Sequence, residues 1–175
     1  LTAPATSVVN GTGNVNMFGN GATSGSTLVT AHANGVIGTF AGSGTISLNN
    51  AGNNNTNFTF NGSAAQTTGS LLPAIINNFN SSNTFSGTNP SSPSLAFSSS
   101  CTVNGTITFA GGTAPLGLVG IGAGNTLTLN GAITITNAGK IIGSSTSNLI
   151  IGGSGTITAS NLFATGGAAL NNFTV

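Results

Sequence analysis

Cys101, His32 and Lys140 are the side chains in this 175-residue sequence that could act as a nucleophile, a proton carrier or a fixed cation, alongside the hydroxyls of Ser and Thr. A thiol or hydroxyl becomes a catalytic nucleophile when a base takes its proton and a third group orients that base. Cys101 and His32 stand 69 positions apart, and the sequence holds no Asp or Glu to complete a triad. The same absence removes the paired carboxyls of a glycosidase and the oxygen cage that calcium or magnesium needs. His32, in Thr30-Ala31-His32-Ala33-Asn34, has no second His or Cys at ligand spacing, so no metal site is expected. Lys140 follows Asn137-Ala138-Gly139 and brings to mind a Lys–Asn isopeptide staple. That bond forms with help from a neighbouring carboxyl, and none exists, so Lys140 reads as a surface cation beside a strand. Cys101, in Ser100-Cys101-Thr102-Val103, reads as a small buried hydrophobe at a strand start or as a link between subunits. Gly11-Thr12-Gly13 and Gly42-Ser43-Gly44 lack the Gly-Lys-Ser/Thr of a phosphate loop and read as turns. The chain is expected to be non-catalytic and to use no cofactor.

What the residues offer instead is uncharged hydrogen bonding. Thr-x-Thr pairs at Thr106/Thr108, Thr126/Thr128, Thr134/Thr136 and Thr156/Thr158 are the candidate exposed interaction rows. Their starts are 20, 8 and 22 residues apart, which is uneven for one flat ladder of the kind that would bind ice. Asn-x-Ser/Thr triplets begin at Asn10, Asn54, Asn57, Asn61, Asn80, Asn104 and Asn172, as a chain rich in these three residues generates by composition.

Composition narrows the partners. Ordinary globular chains carry roughly a quarter charged residues, against 1% here, with a formal net charge of +1. Nucleic acid is excluded for want of a basic patch, and the low net charge favours self-association. Hydrophobic content of 38% argues against disorder. No apolar run approaches the 18 or so residues of a membrane-spanning helix. Leu1 opens the sequence without a basic and apolar leader, and Val175 closes it inside a strand-like run, so the expectation is a segment of a larger array. Lacking carboxylate side chains, its stability should be flat between roughly pH 4 and 9.

Positioning these rows requires strands. Alternation of apolar and hydroxyl residues in Thr45-Ile46-Ser47-Leu48, Asn57-Phe58-Thr59-Phe60, Thr106-Ile107-Thr108-Phe109, Thr126-Leu127-Thr128-Leu129, Ile133-Thr134-Ile135-Thr136 and Thr156-Ile157-Thr158 has the period of two that strands show. It predicts Ile46, Leu48, Phe58, Phe60, Ile107, Phe109, Leu127, Leu129, Ile133, Ile135 and Ile157 pointing inward. No helix is expected, because no helical periodicity persists and Gly occupies 28 positions. Asn-Gly pairs at Asn10, Asn20, Asn34, Asn61, Asn104 and Asn130 accept positive φ and mark corners. Residues 1–175 read as a single β-repeat segment with a possible joint near 80–94, rich in Ser and Asn with Pro90 and Pro93. Gly42-Ser43-Gly44-Thr45-Ile46 recurs at Gly153-Ser154-Gly155-Thr156-Ile157, and Ile76-Asn77-Asn78-Phe79 is echoed by Leu170-Asn171-Asn172-Phe173. The fold class is therefore all-β: a parallel β-helix or solenoid-like stack of about seven or eight coils near twenty residues each, with an antiparallel β-sandwich as the alternative.

The run Phe60-Asn61-Gly62-Ser63-Ala64-Ala65-Gln66-Thr67-Thr68-Gly69-Ser70-Leu71-Leu72-Pro73-Ala74-Ile75-Ile76-Asn77-Asn78-Phe79 resembles a recurrent segment of very large secreted surface proteins of Bacteroidetes-type bacteria. Gly124-Asn125-Thr126-Leu127-Thr128-Leu129-Asn130-Gly131, Gly143–Gly153 and Leu170–Val175 follow that family's order, so the resemblance covers about two-thirds of the chain, from near Gly38 onward. It implies an adhesin-like β-solenoid at the cell surface, exported across the outer membrane by a type IX-like secretion apparatus, with no catalytic residues. Its partners would be neighbouring repeats, identical subunits or surface polysaccharide. The expected function is an extracellular structural or adhesive repeat; a self-assembling fibre or sheath subunit is the alternative, and an ice-binding protein a more distant one.

Overall fold

Alternation of this kind buries one side of every strand, and a chain of short strands with tight corners buries them all by winding. The computed structural model describes residues 1–17, 25–40, 42, 44–49, 55–87, 92–110, 117–136, 139–153, 162–168 and 170–175. Its first turns comprise β1 (Thr2–Ala3), β2 (Val15–Asn16), β3 (Thr27–Thr30), helix α1 (Gly35–Thr39) and β4 (Ile46–Ser47). From β5 (Asn57–Phe60) through Ile151 each turn lays down three strands in one order. β6 (Gln66–Thr67) and β7 (Ile75–Ile76) complete the turn that β5 starts, followed by β8 (Phe79–Ser81), β9 (Leu95–Phe97) and β10 (Cys101–Val103). Next come β11 (Ile107–Phe109), β12 (Gly117–Ile121) and β13 (Thr126–Leu129), then β14 (Ile133–Ile135), β15 (Gly139–Gly143) and β16 (Asn148–Ile151). β17 (Phe163–Ala168) and β18 (Asn172–Thr174) end the chain.

Three sheets result, each running along the stack. The first is ordered β1-β3-β5-β8-β11-β14, the second β7-β10-β13-β16-β18 and the third β6-β9-β12-β15-β17, while β2 and β4 form a separate pair. Every strand pair among the described residues is parallel, which makes the molecule a β-solenoid and rules out the sandwich. Coil length departs from expectation. Phe58 faces Phe79, Phe79 faces Ile107 and Ile107 faces Ile133, steps of 21, 28 and 26 residues. Corner insertions lengthen the coils, so there are about five turns rather than seven or eight.

The core is a column of inner rows. Leu28, Phe58, Phe79, Ile107 and Ile133 stack on the first sheet, all buried. Leu48, Phe60, Phe109, Leu127 and Leu129 are buried as predicted, Ile46 and Ile135 are half-buried against the same core, and Ile157 lies outside the described residues. Phe79 is the hub, its ring centroid 5.7 Å from Phe60, 4.9 Å from Phe97 and 6.4 Å from Phe109. Phenylalanine thus anchors a core that has neither Trp nor Tyr.

One short helix corrects the expectation of none. Gly35 has φ +62°, and a Cβ there would lie 2.1 Å from the Thr67 carbonyl oxygen. The backbone consequently turns into α1 while Val36 N still donates to Thr68 O at 3.0 Å, so the helix takes a strand's place against the next coil. Corner glycines also act differently from expectation at Asn61-Gly62, Asn104-Gly105 and Asn130-Gly131, where φ is not positive. A Cβ on Gly131 would sit 1.8 Å from Gly105 O, and one on Gly153 would sit 2.0 Å from Asn130 O. Glycine is needed at these corners because coil backbones stack in contact. Of the segment from Asn80 to Ser94, Asn80 and Ser81 belong to β8, and the rest, apart from residues 88–91 outside the described set, forms a corner between the first and third sheets. There Ser94 Oγ donates to Phe85 O at 2.6 Å and accepts from Leu118 N at 3.2 Å.

Candidate functional site: outward threonine and asparagine rows

Thr-x-Thr pairs are divided between sheets. Thr108 and Thr134 face each other on the first sheet, where the outward row reads Val29, Thr59, Asn80, Thr108, Thr134. Thr128 belongs to the second sheet, in the row Ile75, Thr102, Thr128, Ile150, Thr174. On the first sheet the two pairs are offset: Ile107 N donates to Ala132 O and Thr136 N to Phe109 O, both at 2.9 Å, so Thr106 has Ala132 above it and Thr136 has Ala110 below. A ladder two threonines wide therefore does not form there. Thr126 lies beside Asn148, whose Nδ2 donates to its Oγ1 at 3.4 Å. Thr156 and Thr158 fall outside the described residues.

Asparagine supplies repeated side-chain contacts from coil to coil. Asn57 Oδ1 accepts from Asn77 Nδ2 at 3.0 Å, Asn78 Nδ2 at 2.8 Å and Asn78 N at 3.2 Å. Asn148 Oδ1 likewise accepts from Asn171 Nδ2 at 3.1 Å and Asn172 Nδ2 at 3.0 Å. The two Asn-Asn-Phe runs that echo each other in sequence thus build one clamp on two different sheets. Asn130 Nδ2 donates to Asn104 Oδ1 at 2.9 Å at a third corner.

Gln66 and Asn83 form a buried polar joint. Gln66 Nε2 donates to Thr30 O at 2.9 Å and His32 O at 3.0 Å, while its Oε1 accepts from Gly62 N at 3.2 Å and Asn83 Nδ2 at 3.1 Å. All four hydrogen-bonding positions of this buried amide are used, joining three successive turns. Gln66 is the one glutamine in the sequence, and that was the available signal; Asn83 is one asparagine among many and gives none.

The candidate reactive residues lie apart. Cys101 is buried in β10 on the row Cys101, Leu127, Leu149, Phe173, and burial pushes its thiol up to about 12. It is held as the protonated thiol, a poor nucleophile. His32 follows β3, where its Nδ1 accepts from Asn34 N at 3.1 Å and its ring lies over Gly38. Lys140 sits in β15 opposite Leu118. Among the described residues, shallow grooves lie beside Val9, Phe40 and Ile46, of about 180 Å³, and beside Pro93, Gly120 and Ile142, of about 240 Å³. Neither is lined by a titratable side chain. Among the described residues no helix is long and apolar enough to cross a membrane. Comparison with protein-family models, curated proteins and solved structures yields no match.

Proposed function

We propose that this chain is a non-catalytic structural and adhesive repeat of a large secreted surface protein, of the kind its Phe60–Phe79 segment resembles. The observation that supports it is the use of polar side chains: the amides of Asn57, Asn148 and Gln66 join coil to coil. That is the requirement of a rod that transmits load along its axis. Outward rows of Thr and Asn then offer uncharged hydrogen bonding to a neutral polymer such as a surface polysaccharide. Immunolabelling of intact source cells tests the reading. Surface label without permeabilisation is the expected result; label that needs permeabilisation overturns it.

A fibre-forming subunit is the second reading. A formal charge of +1 with no carboxylate side chain leaves copies of the chain little mutual repulsion, which favours their association. Sedimentation separates the readings, since a fibre subunit grows with concentration and a spacer does not.

A further inference from the structure

Asn-Gly pairs can react internally. Hydroxide removes the glycine N–H proton, the nitrogen bonds to the asparagine Cγ, and the bond from Cγ to the side-chain nitrogen breaks, releasing ammonia. Water then opens the five-membered imide at either carbonyl to leave aspartate or isoaspartate, so the net exchange is water in and ammonia out. Two conditions must be met by the fold: the glycine N–H is not committed to another acceptor, and the side-chain carbonyl lies against it.

These conditions separate the pairs. Gly35 N donates to His32 O and Gly105 N to Asn77 O, each at 2.8 Å. Gly62 is buried and its N donates to Gln66 Oε1 at 3.2 Å. Asn130 Nδ2 is held on Asn104 Oδ1 at 2.9 Å, which draws that side chain toward the preceding coil. Asn10 differs from all of these, because Gly11 N donates to the Oδ1 of Asn10 itself at 2.9 Å and both residues are exposed. Asn20-Gly21 lies outside the described residues.

We infer that Asn10 is a self-modification site, at which deamidation writes a carboxylate side chain into a sequence that has none. Asn10 and Gly11 line the groove beside Phe40 and Gly42, so the new charge arises on an otherwise uncharged surface. Each event removes one unit from a formal charge of +1, which makes it visible as a fall from a pI of about 8.2.

Incubating the folded chain in mildly alkaline buffer, with isoelectric focusing and peptide mapping, tests this. Asn10 should convert at least roughly tenfold faster than Asn34, Asn61 or Asn104, the factor that one retained hydrogen bond of about 1.4 kcal/mol provides. In guanidinium chloride the Asn-Gly rates should converge. Asn10→Gln, whose longer side chain disfavours the ring, should delete the fast step, and Asn61→Gln should leave it in place. Equal rates at Asn10 and Asn61 in the folded chain, or a fast step that survives Asn10→Gln, overturns the inference. The wild-type map decides alone if a variant fails to fold.

Discussion

The clamp at Asn57 and the clamp at Asn148 have the same parts, the same register and hydrogen bonds of similar length, yet they stand in different surroundings. Asn57 with Asn77 and Asn78 lies in the middle of the first sheet, where Asn78 Oδ1 passes the contact on by accepting from Thr106 N at 2.7 Å. Asn148 with Asn171 and Asn172 lies on the second sheet beneath β18, the last strand in its order, and all residues of β18 are exposed. The apolar partner changes in step. Phe79 is 1% exposed among three other rings, whereas Phe173 has one ring neighbour, Phe163, at 5.3 Å and is half-exposed. The local sequence device thus sets the geometry, while coils on both sides set its energetic weight.

The largest expected effect breaks this comparison at its phenylalanines. Phe79→Ala should destabilise by about 3–5 kcal/mol, because it opens a cavity among Phe60, Phe97 and Phe109, and Phe173→Ala by only about 1 kcal/mol. Urea unfolding midpoints at constant slope read both. Equal losses would mean that the end turn is as well packed as the middle.

Next is the row that ends in Phe173, for it begins at buried Cys101. The folded thiol is raised from 9.0 to about 12 by desolvation, so it keeps its proton where the unfolded chain gives its own up. The thiol's contribution is therefore complete below pH 9 and is lost as pH rises toward 12, at about 1.4 kcal/mol per unit. Cys101→Ala should flatten that part of the alkaline slope relative to wild type. An unchanged slope would show that the thiol reaches water.

How far the sequence leads can be judged from these same residues. Period-two alternation locates β5, β11, β13 and β14, and their inner faces follow from it. Coil count escapes, because the steps of 21, 28 and 26 residues depend on insertions that alternation does not record. The threonine pairs were legible as pairs but not as rows, since a register offset of one pair against the next is set by corner length. Asn77-Asn78 and Asn171-Asn172 were visible as an echo. Their acceptors, Asn57 and Asn148, lie 20 to 24 residues away and appear only once the coils are stacked. Asn-Gly corners were legible as turns, while the reason for glycine at 131 is a neighbouring backbone that no local pattern reveals.

That stacked corner gives a middle-sized effect. Gly131→Ala should cost about 1–3 kcal/mol, since its Cβ would meet the Gly105 carbonyl and the coils would have to part. Gly13→Ala, where a Cβ meets nothing within 4 Å, should lie within about 0.5 kcal/mol of wild type. Similar losses at both would show that the coils are free to separate.

The smallest and sharpest comparison is the coupling within each clamp. Asn57 and Asn78 face each other across β5 and β8, as Asn148 and Asn172 do across β16 and β18, so two double-mutant cycles with Ala remove equivalent amide pairs. At 2.8 Å and 3.0 Å the bonds differ little in length. Water competes for the exposed pair, whereas the half-buried pair has few other partners, and a hydrogen bond contributes more where its groups stay desolvated if unpaired. Coupling of about 1–2 kcal/mol is expected for Asn57–Asn78 and about 0.5 kcal/mol or less for Asn148–Asn172. Equal coupling would place the clamp's strength in its geometry alone. A larger value at Asn148 would mean that β18 is covered in solution, which joins this measurement to sedimentation: a covered β18 predicts association, and coupling at that clamp should then fall as the chain is diluted.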